Sequence, residues 1–189
     1  MKITTVYFSA TYTTHRIVGH LAKRLSEEVT ECDITNQTPI KEITIPKDEL
    51  LIVGIPVYAG RVPEMAVERI RRFRGEGTPA IAVAVYGNRD YDDALLELAD
   101  LLSENGFQVI SAGAFIAQHS IFPKVGAQRP EADDYQHYVR TDLFERLHHR
   151  VQRAIDEGRE PKPEQLLALQ VEDFNIASYV TMHEEGEKP

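Results

Sequence analysis

Short apolar runs rich in Val and Ile alternate along the chain with stretches whose apolar residues recur every three or four positions. The runs are residues 3–8, 50–55, 80–86 and 107–115, each bounded by Pro, Gly or polar residues. Near-continuous apolar character over so short a length is the mark of a parallel strand covered on both faces. A weaker fifth run spans residues 29–34. Between the runs, Ile17, Leu21 and Leu25 repeat every four residues; Ala66, Ile70 and Phe73 form a second stripe, and Leu95, Leu98 and Leu102 a third. Val139, Leu143, Leu147, Val151 and Ile155 form a fourth. Each stripe reads as a helix with one buried face. Pro63 suits a first helical position, Asp90 or Asp92 an N-cap, and Gly106 and Gly158 the helix ends. Strand followed by helix, repeated, implies an α/β domain with an open parallel sheet, helices on both faces and right-handed crossovers.

Residues 36–48 depart from this pattern: they contain Pro39 and Pro46 and no helical stripe, so the second crossover is expected to be largely irregular. The chain divides into a domain over residues 1–157 and a linker and tail over 158–189. The tail includes the apolar stretch LLALQVEDFNIASYV, suited to packing on the domain or on a second copy as a homodimer contact. At 189 residues, one core is the default.

Composition narrows the function. The single Cys32 allows no internal disulfide and too few thiolates for an iron–sulfur cluster, which takes about four. A net charge of −9 disfavours nucleic acid as a partner, because affinity for a phosphate backbone comes mainly from Lys and Arg. No apolar run approaches the roughly 18–20 residues of a membrane span, and the N-terminus lacks a signal-peptide pattern. The expectation is a cytoplasmic protein that meets neither membrane nor nucleic acid.

In an open parallel sheet, ligands bind at the carboxyl ends of the strands. After the first strand, FSATYTT places Ser9, Thr11, Thr13 and Thr14 around the expected start of a helix, with Tyr12 among them. Free N–H groups and the positive end of the helix dipole favour an anion there, and hydroxyls add neutral donors. Helix capping explains one or two of these hydroxyls. Neither G-x-x-x-x-G-K-[ST] nor G-x-G-x-x-G follows the strand, so the two common nucleotide loops do not apply. After the third strand, GIPVYAGRVPE sets Gly60 beside Tyr58, an aromatic suited to a flat ring; after the fourth, VYGNRDYDDAL again joins glycine, an amide and an aromatic. Each alone also fits an ordinary turn.

Together these segments resemble the flavodoxins, and FSATYTT is most similar to the flavodoxin half of a bacterial family that fuses a flavodoxin to a ferredoxin; the cysteine-rich ferredoxin half is absent. The resemblance implies a five-stranded parallel sheet in the order 2-1-3-4-5 that binds FMN. By the same resemblance Ser9, Thr11, Tyr12, Thr13 and Thr14 would surround the phosphate. Pro56, Val57, Tyr58, Ala59 and Gly60 would meet one side of the ring, and Gly87, Asn88, Arg89 and Tyr91 the other. The family usually has glycine at the position of Tyr12, whose side chain would then crowd the phosphate or fold over the ribityl chain. The implied activity is electron transfer, or that of a small NAD(P)H-dependent flavin reductase, with a redox partner protein or NAD(P)H as electron source. For a reductase, His119, with Ser120 and Phe122 at the head of a long loop, is the candidate proton donor; the alternative is a histidine that bonds its own loop.

Other readings are weaker. Adjacent His148 and His149 do not face one ion from one helix, and with His137 they match no zinc spacing. G-x-S-x-G is missing, which speaks against a serine hydrolase. Arg69, Arg71, Arg72 and Arg74 read as a solvated face, with Glu68 placed to pair with Arg72. The alternative function is a cofactor-free binding or scaffold module on the same fold.

Overall fold

The computed structural model describes residues 1–117 apart from Thr38, Ile40, Asn88 and Arg89. His119, the fourth helical stripe, the 157/158 boundary, the tail, Asn88 and Arg89 therefore lie outside the described residues.

The elements run β1 (Ile3–Tyr7), α1 (Thr13–Leu25), β2 (Val29–Asp33), β3 (Ile43–Ile45), β4 (Leu50–Pro56), α2 (Glu64–Ile70), β5 (Phe73–Gly75), β6 (Thr78–Gly87), α3 (Ala94–Glu104) and β7 (Phe107–Ala117). Five strands form one parallel sheet in the order β2-β1-β4-β6-β7. Numbered within that sheet, the order is 2-1-3-4-5, as expected.

Both faces of the sheet are covered. Ile17, Val18, Leu21 and Ala22 of α1 pack with Ile3, Ile52 and Val83 on one face. Ala66 and Ile70 of α2 and Leu95, Leu98 and Leu102 of α3 pack with Val6, Val53 and Ala82 on the other. Strand residues alternate between the two clusters, so every position of β1 and nearly every position of β4 and β6 is buried.

Gly54 lets α1 lie close on β4: a Cβ there would stand 2.3 Å from Val18 Cγ2 and 2.9 Å from Thr14 Cγ2. The first turn of α1 is thereby held against the middle strand.

Two sequence expectations are corrected and one is refined. The described part of residues 36–48 is largely irregular, as expected, except that Ile43–Ile45 forms β3 and pairs in parallel with β5 as a separate two-stranded sheet. Phe73 does not continue α2: the helix ends at Ile70, and Phe73 opens β5 with its ring buried. The arginines are not one solvated face. Arg69 reaches the carbonyls of Ile34 and Thr35, and Arg74 bonds Asn105 Oδ1 at 2.8 Å and pairs with Glu42 at 3.2 Å.

Helix ends also differ in detail. Pro63 precedes α2 by one residue, and Asp93 occupies the N-cap of α3 without a side-chain cap bond. Asp90 instead accepts from the amide of Tyr91 at 2.7 Å, which shapes the preceding turn.

Candidate functional site

Three loops stand side by side at the carboxyl ends of the adjacent strands β1, β4 and β6. The first, after β1, turns on Tyr12, whose φ of 62° lies in the left-handed region and whose ring is 69% exposed. This explains the glycine usual at that position in the resembling family, since only glycine takes such a φ without cost. The exposed ring neither packs into the loop nor caps the helix. Capping falls to Ser9, whose Oγ accepts from the amide of His15 at 3.0 Å. The amide of Ser9 is in turn bonded to Thr35 Oγ1 at 2.9 Å.

With Tyr12 N bonded to Ser9 O, the loop amides that make no hydrogen bond among the described residues are those of Ala10, Thr11, Thr13 and Thr14. Thr11 is exposed and Thr13 half-buried, with their hydroxyls 3.4 Å apart. Thr14 is buried with its methyl toward Gly54, so its amide is better placed than its side chain to meet a ligand. The first turn of α1 contains no acidic residue, so its own side chains do not neutralise the positive helix end. These features fit a phosphate.

The second loop is a tight turn between Tyr58 and Arg61, which exchange both backbone hydrogen bonds at 3.0 Å. Its central residues, Ala59 and Gly60, have φ of 50° and 78°, the pattern of a type I′ turn. The amides of Ala59 and Gly60 make no bond among the described residues. Pro56 and Val57 are half-buried, and Val57 N is tied to Val85 O at 2.8 Å; Tyr58 is 47% exposed and meets Phe8 edge-on at 6.5 Å. First and second loops are thus in contact.

The third loop follows Gly87. Tyr91 is half-buried, with its ring 5.4 Å from that of Tyr86. Burial, with Asp90 nearby, pushes its phenol up from the ordinary value, so it stays neutral. Asp92 has φ 43°, and a Cβ on Gly60 would stand 2.2 Å from its Oδ2 and 2.8 Å from its Cβ. The second and third loops therefore interlock at a position open only to glycine.

Beside the first loop, Tyr7 stacks on His15 at 4.5 Å and His15 Nε2 lies 3.0 Å from Glu31 Oε2. Burial first, then Asp33 and Glu31, push the Tyr7 phenol up to about 12. Beside the third loop, Arg61 bonds Glu97 through two nitrogens, at 2.9 and 3.1 Å, at the head of a groove between α2 and α3. That bond, with a further one from the Val62 amide, holds the Glu97 carboxyl below its usual range.

The structure thus brings together the three expected loops. The sequence reading passed over Thr35 and placed Arg69 on a solvated face, although a hydroxyl just beyond a strand next to β1 is a usable signal.

No family model matches the sequence, and no curated protein matches it. Solved structures do. A flavodoxin from the domain Archaea aligns at 15% identity and a TM-score of 0.51, covering 82% of this chain and 99% of that one. Flavodoxin 1 from Bacillus cereus aligns at 14% and 0.51, covering 81% and 98%, and a Streptococcus pneumonia TIGR4 flavodoxin at 16% and 0.51, covering 83% and 99%. Identity this low speaks for the fold, and with the strand order it establishes that this chain has the flavodoxin-like fold.

Proposed function

We propose that the chain binds FMN non-covalently and serves as an electron carrier or as a small NAD(P)H-dependent flavin reductase. One observation carries the reading. Among the described residues, the non-glycine residues with positive φ are Tyr12, Ala59 and Asp92, one on each of the three loops. Each such conformation costs about 1–2 kcal/mol and persists where the surroundings over-determine it, typically at a binding site.

When bound, the flavin supplies the redox chemistry. The chain's own residues bind and orient it. The amides of Ala10, Thr11, Thr13 and Thr14 and the hydroxyls of Thr11 and Thr13 donate to the phosphate. Ser9, while accepting from His15, keeps its own hydrogen to donate. Tyr58 offers an exposed face to one side of the ring, with the Ala59 and Gly60 amides at its edge. By the resemblance Gly87, Asn88, Arg89 and Tyr91 would meet the opposite side. Electrons come from a redox partner protein or NAD(P)H, and in the reductase His119 is the proton donor.

The test is the visible absorption spectrum of the purified protein, followed by titration of the apo form with FMN while flavin fluorescence is read. Saturable quenching that weakens when Thr11 and Thr13 become alanine is expected; unchanged fluorescence at high micromolar concentration refutes the reading. Oxidation of NADH or NADPH with a quinone acceptor and no partner identifies the reductase, and its absence the carrier. The bulky, exposed side chain of Tyr12 at the first loop favours a second reading, a cofactor-free binding module, which a colourless protein without FMN affinity would support.

A further inference from the structure

A chain of contacts runs from α2 to the first loop through the residues that follow β2. The Arg69 guanidinium donates to the Ile34 carbonyl at 2.7 Å and to that of Thr35. Thr35 is further fixed by its amide, bonded to Asp33 Oδ1 at 2.7 Å. Its hydroxyl then accepts from the buried amide of Ser9, and Ser9 Oγ accepts from the His15 amide in the first turn of α1. The same guanidinium lies 5.7 Å from the centre of the Phe8 ring, within cation–π range, and Phe8 meets Tyr58 edge-on.

We infer that Thr35 and Arg69 are positioning residues: Thr35 sets the shape of the phosphate cradle, and Arg69 ties that cradle to the ring-side loop at Tyr58. The inference rests on the flavin reading above. Its physical basis is directional. With Thr35 Oγ1 occupying the Ser9 amide, Ser9 turns its hydroxyl toward the helix start, and the neighbouring amides remain free for an anion. Without that acceptor a buried N–H is left unsatisfied, and the loop must rearrange to pair it. Arg69 acts differently, because its Nη1 donates to both carbonyls while the guanidinium carbon lies 5.7 Å from the centre of the Phe8 ring, so one side chain joins the residues after β2 to the ring that meets Tyr58.

FMN and riboflavin differ only in the phosphate, so they separate the two roles. Binding of both to the full chain is measured by fluorescence quenching for wild type, Thr35→Val, Thr35→Ser and Arg69→Met. Thr35→Val is expected to weaken FMN about five- to tenfold, the scale of one ordinary hydrogen bond, with riboflavin within about twofold. Thr35→Ser restores FMN binding, and Arg69→Met weakens both ligands. If Thr35→Val does not fold, Asp33→Ala, which removes the acceptor for the Thr35 amide, is expected to lower the FMN-to-riboflavin preference in the same sense. A wild type that binds FMN but whose preference survives Thr35→Val or Asp33→Ala overturns the positioning role alone, as does a Thr35→Ser that behaves like valine. A wild type that binds neither ligand overturns the flavin reading and this inference with it.

Discussion

Replacing Gly54 by alanine tests whether the contact of α1 with β4 sets the first loop. The added methyl would lie 2.3 Å from Val18 Cγ2 and 2.9 Å from Thr14 Cγ2, against an optimal carbon separation of about 3.5–4.0 Å. Relief needs a shift of more than about 1 Å. Val18 and Thr14 are buried and β-branched, with restricted χ1 in a helix, so the helix must move rather than a side chain. Overpacking of this kind costs about 1–3 kcal/mol, and two close contacts place Gly54→Ala near about 3 kcal/mol. For a chain of this size that lowers the melting temperature by about 6–12 °C. Val18→Ala alone should cost about 2 kcal/mol through lost burial and a cavity. Because it removes the nearest clashing methyl, the double variant should cost about 3 kcal/mol rather than the additive sum of about 5, a coupling within the range seen for residues in contact. Urea unfolding of the four proteins measures the cycle, and FMN titration of the same four shows whether moving α1 weakens the cradle. Costs that add within about 0.5 kcal/mol, or a Gly54→Ala as stable as wild type, would refute the reasoning.

Tyr12→Gly removes a left-handed tyrosine that packs on nothing and should raise stability by about 0.5–1 kcal/mol, less than the full relief because glycine loses more entropy on folding; a lower melting temperature contradicts this. Asn105→Ala takes the side-chain donor from the Ile70 carbonyl and one acceptor from the Arg74 guanidinium, which keeps Glu42, and should cost about 2 kcal/mol in urea unfolding, whereas a neutral result would show that water replaces the side chain. The Tyr7 phenol, raised from 10.0 to about 12 by burial and by Asp33 and Glu31, ionises more easily in the unfolded chain. Stability is therefore complete below about pH 10 and falls as pH rises toward 12, and Tyr7→Phe should flatten that part of the melting profile. Glu97, held below its ordinary value by Arg61, contributes stability present above about pH 4.5 and lost as pH falls through its lowered value; acid unfolding of Glu97→Gln should lack that component.

What was legible in the sequence follows from how local the signal is. The strands β1, β4, β6 and β7 are buried along nearly their whole length, and their near-continuous apolar runs identify them without reference to a partner, whereas the half-exposed edge strand β2 gives only a weak run. The stripes of α1 and α3 match their buried faces for the same reason. β3 and β5 were not legible, because three residues carry no period and exist as strands only through pairing with each other. Phe73 sits three residues after Ile70, which is helical spacing, yet the chain leaves the helix and buries that ring in the same core cluster from β5. At the site, the hydroxyl cluster marked the start of α1, but that Ser9 accepts from the first turn of the helix while its own amide is bonded to Thr35, twenty-six residues away, is a contact that no local pattern shows.

The class of fold, the strands and helices of the main sheet and the three loops follow from local signals, because burial periodicity and the chemistry of a helix start are written in neighbouring residues. That Gly60 is closed by Asp92, that Arg69 holds the loop after β2, and that Tyr12, Ala59 and Asp92 all take left-handed backbone at one end of the sheet emerges only once the chain is folded. Each of these depends on atoms brought together from distant parts of the chain, and no local pattern encodes a contact whose partner is chosen by the packing of the whole domain.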